Sequence, residues 1–173
     1  MQENRVEVTA GKILSPIKGE LLRGSRDRSF FGISTDSRTV GKGQLFWALK
    51  GETFDGHDFV KEAIKRGAAG AVVNKDWTAD LPANTRASII GVPDTLKALG
   101  DLARVWRRGF DARVAAITGS GGKTTTKEMT HAILSLEGLT LKNEGNFNNL
   151  IGVPLSLFLL DKTHRYAVLE MGM

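Results

Sequence analysis

Residues 113–128 read RVAAITGSGGKTTTKE: an apolar run, then a glycine-rich turn, then Lys-Thr where a helical pattern begins. A phosphate chain needs a backbone that can come close, N–H groups turned toward oxygen, and a fixed cation. Gly119, Gly121 and Gly122 carry no Cβ to hold the backbone away. A helix opening near Lys123 offers N–H groups without intrahelical acceptors, and a partial positive charge, to an anion. Lys123 suits the terminal phosphates, and the Thr124 hydroxyl suits a Mg²⁺ that also takes phosphate oxygens.

The strict phosphate-loop pattern has another glycine at the place held here by Ile117, so this loop is a shortened form, Thr118-Gly119-x-x-Gly122-Lys123-Thr124. Its surroundings support it. Residues 114–117 predict a buried strand. Met129, Ile133 and Leu136, with Ala132, recur at helical spacing, and Gly138 stands where a helix would stop. A glycine-rich turn without a ligand needs one or two glycines and no Lys-Thr.

The rest of the chain sets bounds. A length of 173 residues, 41% hydrophobic and 25% charged, builds a globular core of one large domain, or one small domain and part of another. The net charge of +5 is spread among acids with few aromatics between, which favours small anionic substrates over nucleic acid. The absence of cysteine excludes disulfides and thiolate metal sites. Residues 1–13 contain acids and no apolar core, unlike a signal peptide, and the apolar run 151–160 contains Pro154 and is too short to cross a bilayer. These features predict a cytoplasmic protein without membrane insertion. The chain stops directly after a strand-like run at 169–173, which predicts an open sheet edge and a piece of a longer protein.

Strand patterns at 44–49, 69–73 and 87–92 alternate with a helix at 58–67, whose Phe59, Ala63 and Ile64 face inward. Asp94 is a candidate N-cap for a helix running to Arg108, with Leu96, Leu99, Ala103 and Trp106 on one face. After the phosphate loop come a strand at 139–142, a polar loop at 144–149, a short helix after Pro154 and a strand at 165–171. The expected architecture is α/β: a small mixed α/β domain over residues 1–93, then the first part of a parallel-sheet P-loop ATPase domain over residues 94–173.

In an open parallel sheet, ligands bind beyond the carboxyl ends of the strands. Glu170 ends the last strand, on the same rim as Lys123 and Thr124, and is a candidate Mg²⁺ ligand. The loop EGNFNN at 144–149 reaches that rim too and offers amide donors and acceptors. In the first domain, Thr35, Asp36, Ser37 and Arg38 gather two hydroxyls, a carboxylate and a guanidinium at one bend. The segment KGETFDGH at 50–57 follows the neighbouring strand. Two such loops suit a uracil ring and a pyrophosphate. The alternative has Asp36 and Asp58 capping local turns, with His57 merely exposed.

Taken together, STDSRTVGKGQLFWALKGETFDGHDFV, ITGSGGKTTTKEM, EGNFNNLIGVPLSL and YAVLEMG resemble the Mur ligases of peptidoglycan synthesis, from about Ile33 to Gly172. The shortened loop is the form that family uses. The resemblance implies that Gly119, Ser120, Gly121, Gly122, Lys123, Thr124 and Thr125 bind ATP phosphates, with Lys123 catalytic, and that Asn148 or Asn149 faces the nucleotide. It implies Mg²⁺ on Thr124 and Glu170. A UDP-sugar peptide would lie on Thr35, Asp36, Ser37 and Arg38 and on the loop Gly51, Glu52, Thr53, Asp55, Gly56 and His57. The EGNFNN–IGVP pairing is that of the branch joining D-alanyl-D-alanine to UDP-N-acetylmuramoyl-tripeptide. In that reaction the tripeptide carboxylate takes the γ-phosphate as an acyl phosphate, and the dipeptide amine displaces the phosphate. Such a ligase serves cell-wall biogenesis, cell shape and cell division, and is expected to be a monomer at full length. Two alternatives stand beside it: the relative that adds diaminopimelate or lysine, and a non-catalytic module binding a nucleotide or UDP-sugar. Gly121 stands where relatives often carry Asn or Ser. The family's carbamylated lysine, second-metal histidine and C-terminal domain would lie beyond Met173, so this piece alone is not expected to ligate.

Overall fold

The computed structural model describes residue 4, residues 6–78 and residues 81–172; the start of the N-terminal segment, two positions of the 77–86 connection and Met173 lie outside the described residues. The chain divides into two compact units, one ending at Leu102 and the other beginning at Ala103. No described helix is long and apolar enough to cross a membrane.

The first unit contains β1 (Glu7–Thr9), α1 (Ala10–Leu14), β2 (Glu20–Arg23), β3 (Ser29–Phe31), β4 (Ile33–Ser34), β5 (Leu45–Trp47), α2 (Val60–Lys65), β6 (Gly70–Asn74) and β7 (Ser88–Val92). Its five-stranded sheet runs in the order β2-β7-β6-β5-β4. The last four are mutually parallel, and β2 joins β7 antiparallel. GAVVN and SIIGV are nearly continuous apolar runs because β6 and β7 are central strands, covered on both faces. Phe46, Ala71, Val73 and Ile89 form a core with Val60 and Ala63 of α2, and Phe59 and Ile64 pack at its margin. The helix expected at 58–67 is shorter, entering through a 3₁₀ turn at Gly56–Phe59. The antiparallel pair β1–β3 was not anticipated, since three-residue strands carry too little alternation to read.

Helix α3 (Thr95–Arg108) starts as expected, with Asp94 Oδ1 accepting from the Lys97 N–H at 2.9 Å. The second unit then adds β8 (Arg113–Ile117), α4 (Lys123–Ser135), β9 (Thr140–Lys142), α5 (Gly152–Leu157) and β10 (Tyr166–Glu170). All three strands are parallel, in the order β8-β10-β9, with Glu170 level with Ile117. The expected open sheet edge is present, but the last strand does not form it: it inserts between the other two, and every residue of it is buried. Chain order does not set spatial order, and the edge falls to β8, so the run 114–117 is not buried and Val114 is 36% exposed. The helical spacing after the loop does mark α4, but Met129, Ile133 and Leu136 are all exposed, whereas Lys127 is buried.

Gly70 shows how tightly the first sheet is built. A Cβ there would lie 2.5 Å from the Ser88 carbonyl oxygen and 2.6 Å from Cε1 of Phe30. Both neighbours are fixed, one in a strand and one in the core. Gly70→Ala is expected to lower the urea midpoint at unchanged slope, a loss of about 1–3 kcal/mol. An unaltered midpoint would show that the sheet yields there.

Candidate functional site

In the second unit the chain leaves the carboxyl end of β8 and turns back through glycines in conformations that other residues rarely take, φ +145° at Gly119 and +70° at Gly122. Apart from adjacent chain, nothing lies within 4 Å of a Cβ built at Gly121 or Gly122, so the space beside the turn at these positions is open. Gly122 is the N-cap of α4, and its carbonyl accepts the N–H of Thr126 at 2.9 Å. The amides before Thr126 therefore have no intrahelical acceptor. The Lys123 ammonium donates back to the Gly119 carbonyl at 2.9 Å, which closes the turn around its own cation. Ser120 and Thr125 stand exposed beside it.

Glu170, at the carboxyl end of β10, comes to the same place. Its Oε2 accepts from the Thr124 hydroxyl at 2.8 Å, and its Oε1 accepts from Nδ2 of Asn148 at 2.9 Å. The residue is 4% exposed. The Asn148 amide and the Thr124 hydroxyl hold this carboxyl below the usual glutamate range; burial opposes them, and the charges of Lys127 and Lys123 assist. Threonine and carboxylate oxygens in contact beside an open glycine turn suit a Mg²⁺ that keeps waters and takes phosphate oxygens. Among the described residues, no cluster of three or more His, Cys, Asp or Glu offers an all-protein cage for a metal ion.

The asparagine loop divides into separate roles. Asn148 touches Glu170, while Asn149 Oδ1 accepts the N–H groups of Ile151 and Gly152 and so caps the start of α5. Two residues escaped the sequence reading. Asn143, 1% exposed, accepts the Glu170 N–H at 2.8 Å and donates to the Glu170 carbonyl at 2.9 Å and the Phe147 carbonyl at 2.8 Å. Buried Lys127 donates to the Asn143 carbonyl at 2.9 Å. Lys127 follows Lys123 by four residues on one helix, and that spacing was the available signal for it.

In the first unit, β4 and β5 are neighbours and parallel, so the loops after them emerge at one end of the sheet. At the bend after β4, the Arg38 side chain donates through Nε and Nη2 to both Asp36 oxygens, at 2.9 and 2.7 Å. These bonds hold the Asp36 carboxyl below its usual range and fix a guanidinium that is 81% exposed. Ser37 is buried and Thr35 partly so. In the second loop, Gly51, Glu52 and Thr53 are exposed, and Gly56 lies against Leu49, where a Cβ would come within 2.7 Å of the Leu49 nitrogen.

His57 is not exposed, as the alternative reading had it; its side chain is 9% accessible. Its Nδ1 pairs with Asp55, and its Nε2 accepts the Asn74 N–H at 2.9 Å. Both ring nitrogens are thus engaged by the protein, and the ring ties the loop to the end of β6.

Two family models match the chain: one described as the Mur ligase family, catalytic domain, over residues 30–107, and one described as the Mur ligase middle domain, over residues 117–173. The UDP-N-acetylmuramoyl-tripeptide–D-alanyl-D-alanine ligase of Escherichia coli K12 is 44% identical over 167 residues, which is 96% of this chain and 35% of that protein. The enzyme of the same name from Bacillus subtilis 168 is 40% identical over 97% of this chain and 36% of its own length. Among solved structures, MurF from Acinetobacter baumannii superposes with a TM-score of 0.84 at 38% identity, over 98% of this chain and 37% of that one. MurF from Thermotoga maritima, in complex with ADP, gives 0.70 at 35% identity over 80% of this chain and 31% of that one. The chain spans about a third of the length of the curated relatives it matches. With two models of one family covering both units and these relatives beside them, the chain belongs to the Mur ligase family.

Proposed function

We propose that the protein to which this chain belongs is an ATP-dependent ligase that joins D-alanyl-D-alanine to UDP-N-acetylmuramoyl-tripeptide in peptidoglycan precursor synthesis. The observation that carries this reading is the contact of Thr124 with Glu170 beside a glycine turn ending in Lys123. The names of the relatives support this member of the family over the others. The bound ADP of the Thermotoga relative supports a nucleotide at the turn.

In this reading Gly119, Ser120, Gly121, Gly122, Thr124 and Thr125 wrap the ATP phosphates with backbone N–H groups and hydroxyls. Lys123 exchanges its Gly119 carbonyl for phosphate oxygen. Thr124 and Glu170 would hold Mg²⁺, which when bound neutralises phosphate charge during transfer. Asn148 keeps the Glu170 carboxylate oriented, and Asn149 acts by shaping the loop rather than by touching nucleotide. The tripeptide carboxylate oxygen forms a bond to the γ-phosphorus as the bond to ADP breaks. The dipeptide amine then forms the amide, releasing phosphate and a proton. Thr35, Asp36, Ser37 and Arg38, with Gly51, Glu52, Thr53, Asp55 and Gly56, line the place for the UDP-sugar, and His57 maintains the shape of the second loop. The domains proposed for these roles are residues 1–93 for the UDP-substrate and residues 94–173 for part of the ATP site. The same reading places the protein in the cytoplasm as a monomer at full length, serving cell shape, the cell cycle and division.

In the full-length protein, Lys123→Ala is expected to cut phosphate release by about a hundredfold or more while leaving binding of the UDP-substrate intact. Turnover equal to wild type would remove Lys123 from the reaction. Arg38→Ala is expected to weaken UDP-substrate binding about tenfold by titration calorimetry, with ATP binding unchanged. An unchanged isotherm would remove the guanidinium from the substrate site. Coupled phosphate release with D-alanyl-D-alanine set against free lysine or diaminopimelate decides the acceptor, and activity with the free amino acids alone would reject the dipeptide.

A further inference from the structure

Among the described residues, Lys127 is the one lysine or arginine that is buried, at 2% exposure. Its placement inverts the helix. Two large apolar residues of α4, Met129 and Ile133, and Leu136 at its C-cap face outward while an ammonium goes in. Burying that charge carries a desolvation cost, and a methionine of similar length would fill the space without it. The ammonium is met by the Asn143 carbonyl at 2.9 Å and, more loosely, by a Glu128 oxygen at 3.4 Å. Asn143 in turn binds Glu170 on both its N–H and its carbonyl, and reaches the Phe147 carbonyl as well. Hydrogen bonds therefore run unbroken from the helix that carries Lys123 and Thr124 to the backbone of Glu170 and into the asparagine loop.

We infer that Lys127 is a positioning residue: its buried ammonium, acting through Asn143, holds Glu170 and the 144–149 loop in register with the start of α4. This rests on the nucleotide reading above. One rigid helix then does two things a turn apart. It presents Lys123 and Thr124 to phosphate, and it anchors the strand end whose carboxylate faces Thr124. Side chains that hold a metal ligand from behind typically contribute 10–100-fold to metal affinity.

The test uses the full-length protein, with binding of the fluorescent nucleotide mant-ADP titrated against Mg²⁺. Lys127→Met and Asn143→Ala are each expected to raise the Mg²⁺ midpoint about tenfold, while mant-ADP affinity without Mg²⁺ stays at the wild-type level. In the ligand-free protein, the amides of Phe147 and Glu170 are expected to exchange hydrogen faster in both variants. A wild-type Mg²⁺ midpoint in Lys127→Met overturns the inference. If that variant does not fold, Asn143→Ala decides, and an unchanged midpoint there overturns it equally. Lys123→Ala is the separate control: should it bind mant-ADP with Mg²⁺ as wild type does, the nucleotide reading itself falls, whatever the other variants do.

Discussion

A carboxylate removed from water must find donors, and the second unit is organised around meeting that demand at Glu170. The strand carrying it is central and fully buried, so its end could not be left to solvent. Thr124 supplies a hydroxyl from the helix start and Asn148 an amide from the loop, while Asn143 fixes the backbone on either side. Three separate pieces of chain are thereby brought to one point. The same bonds keep the carboxyl ionised, which is what a hard cation requires of it.

The first unit solves a different problem, again with neighbouring parallel strands. Parallel neighbours β4 and β5 deliver two loops to one end of the sheet, and each loop is stiffened from within. Asp36 clamps Arg38 at one bend, and Asp55 with His57 braces the other against β6. A guanidinium so exposed would otherwise sample many rotamers, and the two-point clamp reduces that freedom ahead of any anion.

Much of this was legible in the chain. Glycines followed by Lys-Thr have a narrow chemical use, and a carboxylate ending an apolar strand falls on the ligand rim by topology alone. Alternating strands and helices gave parallel sheets, and Asp94 capped the helix it was expected to cap. What stayed hidden depends on neighbours that a linear pattern cannot name. The apolar run of β8 reads as interior, yet strand order makes it an edge. Nothing in the linear pattern singles out Lys127 on its helix or Asn143 after its strand. Both are buried because of partners distant in sequence. His57 could be read as ligand or bystander, and only the Asn74 amide reveals the ring as a brace.

The emptiness around the turn glycines carries a consequence of its own. With nothing beyond adjacent chain near a Cβ at Gly121, a side chain placed there meets no steric objection from the rest of its chain, and the backbone does not need positive φ at that position. The fold is indifferent to what stands at that position. Under the nucleotide reading proposed above, selection on it comes from the guest in the cradle, so tolerance at this site reports on that guest's outline rather than on the stability of its host.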